Sequence, residues 1–495
     1  MSDVEKSTDN TGFLLLVVSI SLATFMAGLD GTIVNIALPT ISQAFNVSST
    51  TVSWVATAYL LVMAGCVLVF GKISDIIGFK RVFLSGFIIF TLGSFACGTL
   101  PDMFNSLNVL VGSRMVQAVG GAMMTAIAPA MVTAFIPMEK KGSAMGIVMT
   151  LAALGTALGP TIGGFLTQYL SWHWIFFINV PVGIVAVVLG AKVIPASISK
   201  GTLDGFDRAG AILVFTGLAS LLFVVSEGDT MGWTSPIILG LTLLVLVTLG
   251  WFVVHELRTN DPLLDLRLFK NKNFLFLNLL LSLVFFSFAG INYLLPFYLK
   301  YVRLFDTSTA GLIMTSLSFA MMAAGILSGI FYNRVGPKRL CILAGICLSA
   351  GYFLVMQLRP ETPVLYVVVS LALIGFGLGF VITPASNMVM EAVAKTKQGM
   401  ISSLTSLERF APLTLGIALF NMIFLWGILT IATNHNVTMQ SPASLKVQVL
   451  TAGFDLAFLG SFILGIIILI LTLVIHQEIN PDYKDESGEI GPGMI

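Results

Sequence analysis

Four ionisable residues stand inside stretches that are otherwise apolar: Asp30, Arg114 and the adjacent pair Glu408 and Arg409. A charged side chain at membrane depth is costly, so one kept there marks a functional site by default. Asp30 lies 17 residues into its apolar run, which begins at Phe13; at 1.5 Å per residue it is about 25 Å from that end. Arg114 enters its own run from the opposite end and sits roughly 12 Å in. In a hydrocarbon core about 30 Å thick these depths allow contact. Burial favours a neutral carboxyl, and a neighbouring arginine favours the carboxylate. A group balanced between the two can load and release a proton as its surroundings change. Asp30 is therefore the candidate proton-coupling carboxylate, tuned by Arg114; the alternative is a permanent structural ion pair. Glu408 stands near mid-membrane in a later run, as a second proton site, an anchor for a cationic ligand, or a partner for another helix.

Such residues need long apolar helices to carry them, and the composition supplies these. The chain has 495 residues, 57% hydrophobic and 10% charged, against about 25% charged in an ordinary soluble domain. Apolar runs of about 18 residues or more recur throughout, each long enough to span a membrane. The expected fold class is all-α, a polytopic membrane protein in contact with membrane lipids. A net charge of +1 gives no reason to expect a nucleic-acid partner. Cys66, Cys97, Cys341 and Cys347 fall in apolar runs without metal-ligand spacing, and read as small packing residues. The four histidines are scattered, so neither a metal nor a cofactor is expected. No phosphate-binding Gly-x-x-x-x-Gly-Lys-Ser/Thr sequence occurs, and no catalytic cluster points to an enzyme. The first run is too long for a signal peptide and lacks a cleavage pattern.

Apolar runs bounded by charge and turn residues predict fourteen spanning helices. The first covers 13–38, the sixth 174–195, the seventh and eighth 207–226 and 235–256, the thirteenth 399–426 and the last 453–477. Of the 25 Lys and Arg residues, 19 fall on the N-terminal side of the membrane and four on the other. The positive-inside rule then puts both termini in the cytoplasm. A polar connector over 257–273 is expected to lie along the membrane surface, and 427–452 to form the longest external loop. Glu227 and Asp229, in another external connection, read as solvated.

One loop recurs. Gly71 to Arg81 reads Gly-Lys-Ile-Ser-Asp-Ile-Ile-Gly-Phe-Lys-Arg, and Gly329 to Arg339 reads Gly-Ile-Phe-Tyr-Asn-Arg-Val-Gly-Pro-Lys-Arg. Counted from the first glycine, each has Asp75 or Asn333 at +4, Gly78 or Gly336 at +7, Lys80 or Lys338 at +9, and Arg81 or Arg339 at +10. The copies are 258 residues apart, about eight helices rather than six. Two helices are therefore inserted between two six-helix halves. The expected divisions are 1–200, an inserted pair over 201–258, and 259–495. An acidic or amide group beside cations at a tight turn suits a releasable latch between helix ends. A positive-inside anchor with a tight turn is the plainer reading. Elsewhere Gly155, Gly159 and Gly163 share one helical face in small-xxx-small spacing, with Gly164 beside them and Pro160 bending the helix. This predicts close packing, able to seal the boundary between halves.

With these motifs in view the chain resembles the major facilitator superfamily, whose signature is the loop between its second and third helices. It is most similar to the fourteen-helix drug:proton antiporters. Leu29 to Pro39 looks like that family's first-helix motif, and Arg114, Gln117 and Gly120-Gly121 like its fourth-helix motif. Gly155 to Gly164 looks like the fifth-helix antiporter motif, and Trp174 to Pro181 like the sixth-helix entry. The resemblance implies proton-coupled export of lipophilic compounds, cationic ones among them, by alternating access, from the cell membrane, by a monomer. It also implies that the first and fourth helices of each half line the cavity. Substrate would then meet Asp30, Gln117, Phe286, Asn292, Tyr293 and Arg409, the aromatics holding flat molecules. The alternative cargo is one endogenous metabolite, siderophore or lipid. Phe410-Ala411-Pro412 departs from the family's glycines after Arg409.

Overall fold

The computed structural model describes residues 2–136, 138–195, 207–259, 262–393, 398–434 and 442–479. Fifteen α-helical elements follow one another: α1 (Ser2–Ala44), α2 (Ser49–Ile77), α3 (Phe79–Phe104), α4 (Leu107–Phe135), α5 (Met138–Tyr169), α6 (Trp174–Phe177), α7 (Asn179–Val193), α8 (Arg208–Met231), α9 (Pro236–Arg258), α10 (Lys272–Tyr301), α11 (Thr307–Val335), α12 (Pro337–Met356), α13 (Val364–Glu391), α14 (Gln398–Asn434) and α15 (Ala443–Val474). No strand occurs among the described residues. The expected sixth helix is two pieces, α6 and α7, separated at Ile178. Pro181 has no N–H for the carbonyl of Phe177, so the helical ladder is interrupted there. Counted as one, the pair brings the number of membrane helices to fourteen. Thirteen have the length and apolarity to cross a membrane; α5 adds 32 residues alongside α1.

Two expectations about loops need correction. The region 427–452 is largely helix, since α14 runs to Asn434 and α15 begins at Ala443. The Thr430 and Thr433 hydroxyls donate to Trp426 and Leu429 carbonyls within α14, so these polar groups are satisfied inside the helix. Residues 435–441 lie outside those described. Glu227 is not simply solvated: it accepts a 2.6 Å hydrogen bond from Trp54 Nε1 of α2. The side chain of Asp229 lies outside those described. The connector before α10 contains a 3-10 turn, Leu266–Lys270, and buries Leu263 and Leu264 against the bundle.

Helices α1 to α7 pack on one another, as do α10 to α15. The two groups meet along two seams, α5 against α11 and α2 against α14. Helix α8 packs on α9, α2 and α14. Helix α9 has α8 and the connector as neighbours and exposes Leu243, Leu246 and Trp251, a surface suited to lipid.

The two copies of the repeated loop fold alike. Gly78 and Gly336 have φ of 96° and 87° with nearly equal ψ, a region that penalises any side chain. Each glycine N–H closes the preceding helix on a carbonyl four residues back, Ser74 and Tyr332. This accounts for the glycine at +7. Gly71 lets α2 approach α14, since a Cβ there would meet Ser403 Oγ at 2.7 Å; Gly329 has open space around it. Lys80 Nζ donates at 2.8 Å to the Ala191 carbonyl near the end of α7, a favoured place for a cation. Arg81 and Arg339 are exposed and Lys338 is half-buried. The side chains of Asp75 and Asn333 lie outside those described, so the acidic part of the latch does too.

The end of the bundle away from these turns is tied between the two groups of helices, from α10 to α1 and α2 and from α14 to α2. Lys300 Nζ donates to Thr40 Oγ1 at 3.0 Å, Tyr293 OH to the Ser49 carbonyl at 2.6 Å, and Asn421 Nδ2 to Thr50 Oγ1 at 3.0 Å.

Candidate functional site

Asp30 comes from α1 and is fully buried, as is Arg114 from α4. Arg114 Nη1 donates to Asp30 Oδ2 at 2.7 Å. The other carboxylate oxygen accepts from Gln117 Nε2 at 3.0 Å and from Asn179 Nδ2 of α7 at 3.1 Å. Gln117 sits one turn beyond Arg114, so one face of α4 presents both groups. Gln117 Oε1 accepts from Arg114 Nη1, while its Nε2 also donates to Ser94 Oγ on α3 at 2.6 Å. The guanidinium lies 3.9 Å from the centre of the Tyr59 ring, and its Nε donates to the Val55 carbonyl at 3.3 Å. Five helices, α1, α2, α3, α4 and α7, thus meet at this ion pair, with α4 and α7 donating to the carboxylate itself.

The arrangement has a definite chemical consequence. As a carboxylate Asp30 offers only acceptors, with three donors on two oxygens, and both side chains of the ion pair are buried. A proton arriving at Asp30 would turn an acceptor into a donor and displace one of these partners. Protonation here would therefore require a side-chain rearrangement. Removing Arg114 would leave a buried charge uncompensated, which is far costlier than the pair itself.

Glu408 and the α10 candidates share no hydrogen bond with this cluster among the described residues, whereas Arg409 reaches it electrostatically through Tyr59. Glu408 on α14 is buried, and its Oε2 has no hydrogen-bond partner among the described residues. Arg409 is half-buried, with its guanidinium 5.6 Å from the Phe410 ring. On α10, Phe286 meets Phe420 with ring centres 5.8 Å apart, and Tyr293 is fully buried with its hydroxyl engaged at the α2 seam. Asn292 lines a small cleft with Pro160, Leu295, Met314, Leu317, Ser318 and Leu371.

The glycine helix divides its work between two neighbours. A Cβ at Gly155, Gly159 or Gly163 would strike α1, at Phe25, Thr32 and Ile33 respectively. The boundary with α11 is made by other residues: Gly164 against Thr307, the Pro160 carbonyl against Gly311, and Thr161 hydrogen-bonded to Thr315. The three-glycine stripe therefore builds the α1 contact rather than the seam.

Sequence reasoning missed Asn179, Ser94 and Tyr59. The available signal for Asn179 was an amide in an apolar run, two residues before Pro181. Nothing in the spacing joined it to Asp30, 149 residues away.

Residues 20–417 match the family model described as Major Facilitator Superfamily. The chain belongs to the Major Facilitator Superfamily. It is a multi-pass membrane transporter and not an enzyme. It is 32% identical over 411 residues to the riboflavin transporter RibZ of Clostridioides difficile, covering 83% of this chain and 88% of that protein. It is 33% identical over 411 residues to multidrug resistance protein Stp of Mycobacterium tuberculosis, covering 83% and 75%. Among solved structures, a partially occluded, inward-open xylose transporter XylE from E. coli aligns with a TM-score of 0.62. Identity is 13%, with 94% of this chain and 98% of that one covered. That likeness shows the fold alone.

Proposed function

We propose that this transporter is a proton-coupled antiporter that exports lipophilic, drug-like compounds, with Asp30 as the proton-coupling carboxylate. The observation that carries the proposal is the buried Asp30, held by Arg114, Gln117 and Asn179. A carboxylate whose protonation changes side-chain contacts among α1, α4 and α7 is suited to coupling a proton to a conformational step. Relatives named as multidrug transporters support the cargo class. The 19 basic residues on one side of the sequence-derived topology support cytoplasmic termini in a cell membrane. In this reading residues 1–200 and 259–495 rock about a midplane site between Asp30, Gln117 and the α10 surface of Phe286 and Asn292. The repeated loops latch the cytoplasmic helix ends, the 201–258 pair rides on α2 and α14, and Glu408 is a second proton or cation site.

A second reading is favoured by the relative named as a riboflavin transporter: export of a single flat heteroaromatic metabolite. Proteoliposomes with an imposed pH gradient test both. Several cationic and neutral dyes, and riboflavin, are followed with the wild type and with Asp30→Asn. Gradient-driven efflux of many dyes, lost in Asp30→Asn while the protein stays folded, is the expected result. Unchanged coupled transport in Asp30→Asn sinks the assignment, and movement of the flavin alone selects the second reading.

A further inference from the structure

Away from Asp30, where α8 begins and α9 ends, two carboxyl groups are buried against each other. Asp207 caps α8: its Oδ1 accepts from the Gly210 N–H at 2.8 Å and meets His255 Nε2 at 2.7 Å. Glu256, at the end of α9, accepts from the Leu264 N–H of the connector through Oε2 at 3.1 Å. Each has a second oxygen, Asp207 Oδ2 and Glu256 Oε1, that is buried without a hydrogen-bond partner among the described residues. Glu256 is 1% exposed, and the Asp207 side chain 6%.

Both unpartnered oxygens converge on one point beside Gly210. A Cβ built there would collide with Asp207 Oδ2 and lie 2.7 Å from Glu256 Oε1. The absence of a side chain at 210 is what lets the two approach. Ionised carboxylates offer only acceptors, so facing oxygens with no donor between them repel. One proton converts one oxygen into a donor and makes the pair a strong, charge-assisted hydrogen bond.

We propose that Asp207 and Glu256 hold a single proton between them, and that this proton fastens the α8–α9 pair to the connector leading into α10. His255, with its side chain 27% exposed, is the route by which the proton exchanges with water. Its Nε2 also lies 3.3 Å from Thr259 Oγ1. The other charged groups nearby are turned elsewhere. Arg208, Arg258 and Arg267 are exposed, Arg267 donates to the Leu257 carbonyl, and Asp265 accepts from the Arg267 N–H. Helices α2 and α14, which pack on α8, send no hydrogen bond or ion pair to the two carboxyls among the described residues. With the proton lost, the carboxylates separate and Glu256 releases Leu264. The connector also holds α14, through the Asp265 N–H on Met400 Sδ at 3.2 Å. Proton loss here thus loosens a strap between the inserted pair and the last six helices, independently of Asp30.

Hydrogen exchange of the purified protein, corrected for intrinsic rates, tests this by following amides 263–272 as pH is raised from about 5 to 8. The wild type should lose protection as pH rises. Glu256→Gln supplies a permanent donor to Asp207 and an acceptor to Leu264. It should stay protected at every pH, exchanging roughly tenfold more slowly at the alkaline end, the factor one hydrogen bond to a charged group provides. Asp207→Ala should be unprotected throughout, and Asp30→Asn should keep the wild-type response. A pH-independent wild type, a Glu256→Gln profile like the wild type, or loss of the response in Asp30→Asn would each overturn the proposal. So would protection that follows sodium, potassium or magnesium concentration at fixed pH, which would make the ligand a metal cation.

Discussion

Neutralising both members of the Asp30–Arg114 pair should damage the protein far less than neutralising them one at a time suggests. Arg114→Gln leaves a buried carboxylate with only Gln117 and Asn179 as donors. It also removes the stack on Tyr59 and the hydrogen bond to the Val55 carbonyl. Asp30→Asn leaves a buried guanidinium with neutral acceptors. Breaking a buried pair from one side costs about 3–5 kcal/mol. Taking about 4 for Arg114→Gln and about 3 for Asp30→Asn, additivity predicts about 7 kcal/mol for the double variant. The double variant has no orphan charge, and what stays lost is the stack and one hydrogen bond, together with some misfit, or about 4 kcal/mol. The coupling is thus about 3 kcal/mol. With an unfolding entropy near 2.1 cal/mol/K per residue, a chain of this length shifts by about 1 °C per kcal/mol. The thermal midpoint in detergent, followed by tryptophan fluorescence, should fall by about 4 °C and about 3 °C in the singles, and by about 4 °C in the double. A double variant near 7 °C, additive within error, would refute the pairing energetics.

Three further outcomes follow from particular contacts. Asn179→Ala removes one donor from Asp30 and should cost about 1–2 kcal/mol; it should also displace the pH dependence of gradient-driven transport, and an unmoved profile would detach Asn179 from the site. Gly159→Ala puts a methyl onto Thr32 and within 3.1 Å of the Ile33 nitrogen, so it should cost about 1–3 kcal/mol and slow transport. Gly31→Ala, with no atom within 4 Å of its Cβ, should do neither, and equal effects in the two would rule out the α1–α5 contact as the cause. Asp306 caps α11 through the Thr309 N–H at 3.1 Å and a 2.7 Å bond from Ser308 Oγ. Hydrogen bonds from Thr309 and Ser308 hold its carboxyl below the ordinary aspartate value. Its contribution is present above that value, near pH 3.9, and fades as pH falls through the lower folded-state value. Asp306→Ala should therefore lower the thermal midpoint at pH 7, with the gap to wild type closing in strong acid.

Much of the layout was legible because the features that set it are periodic or duplicated. Long apolar runs announce spanning helices, and two copies of one loop at fixed spacing revealed an extra helical pair. The glycine at +7 was legible as a turn because only glycine adopts φ near 90° cheaply. The misplaced features have a different character. Thr430 and Thr433 look like loop residues, yet their hydroxyls are satisfied on carbonyls of the helix that contains them. Asn179 has no spacing relation to Asp30, because α7 reaches the site only after the chain has crossed five times. Burial depth suggested the contact of Asp30 with Arg114, but depth cannot tell which way a helix is rotated. For the same reason depth left Glu408 open between a second proton site, a cation anchor and a partner for another helix, and among the described residues its Oε2 has no hydrogen-bond partner.

The rotation of α1 gives Asp30 its wider reach. Asp30 faces α4 and α7, while Thr32, two residues further, donates to the Thr156 carbonyl of α5 at 3.1 Å. The glycines at 155, 159 and 163 bring α5 close enough for α1 to have no independent freedom. On its other side α5 carries the Pro160 carbonyl and Gly164 into α11. A change of partners at Asp30 must therefore either be absorbed within α4 and α7, which hold it through side chains, or be passed through α1 to α5, which holds it through backbone contact. Side chains rearrange cheaply and close-packed backbones do not. In the proposed cycle the polar face is then the part that switches, and α1 with α5 is the rigid arm that carries the switch to the α5–α11 seam. Widening the α1–α5 contact with Gly159→Ala should uncouple proton from cargo more than it weakens either alone; equal loss of binding and coupling would place the rigid arm elsewhere.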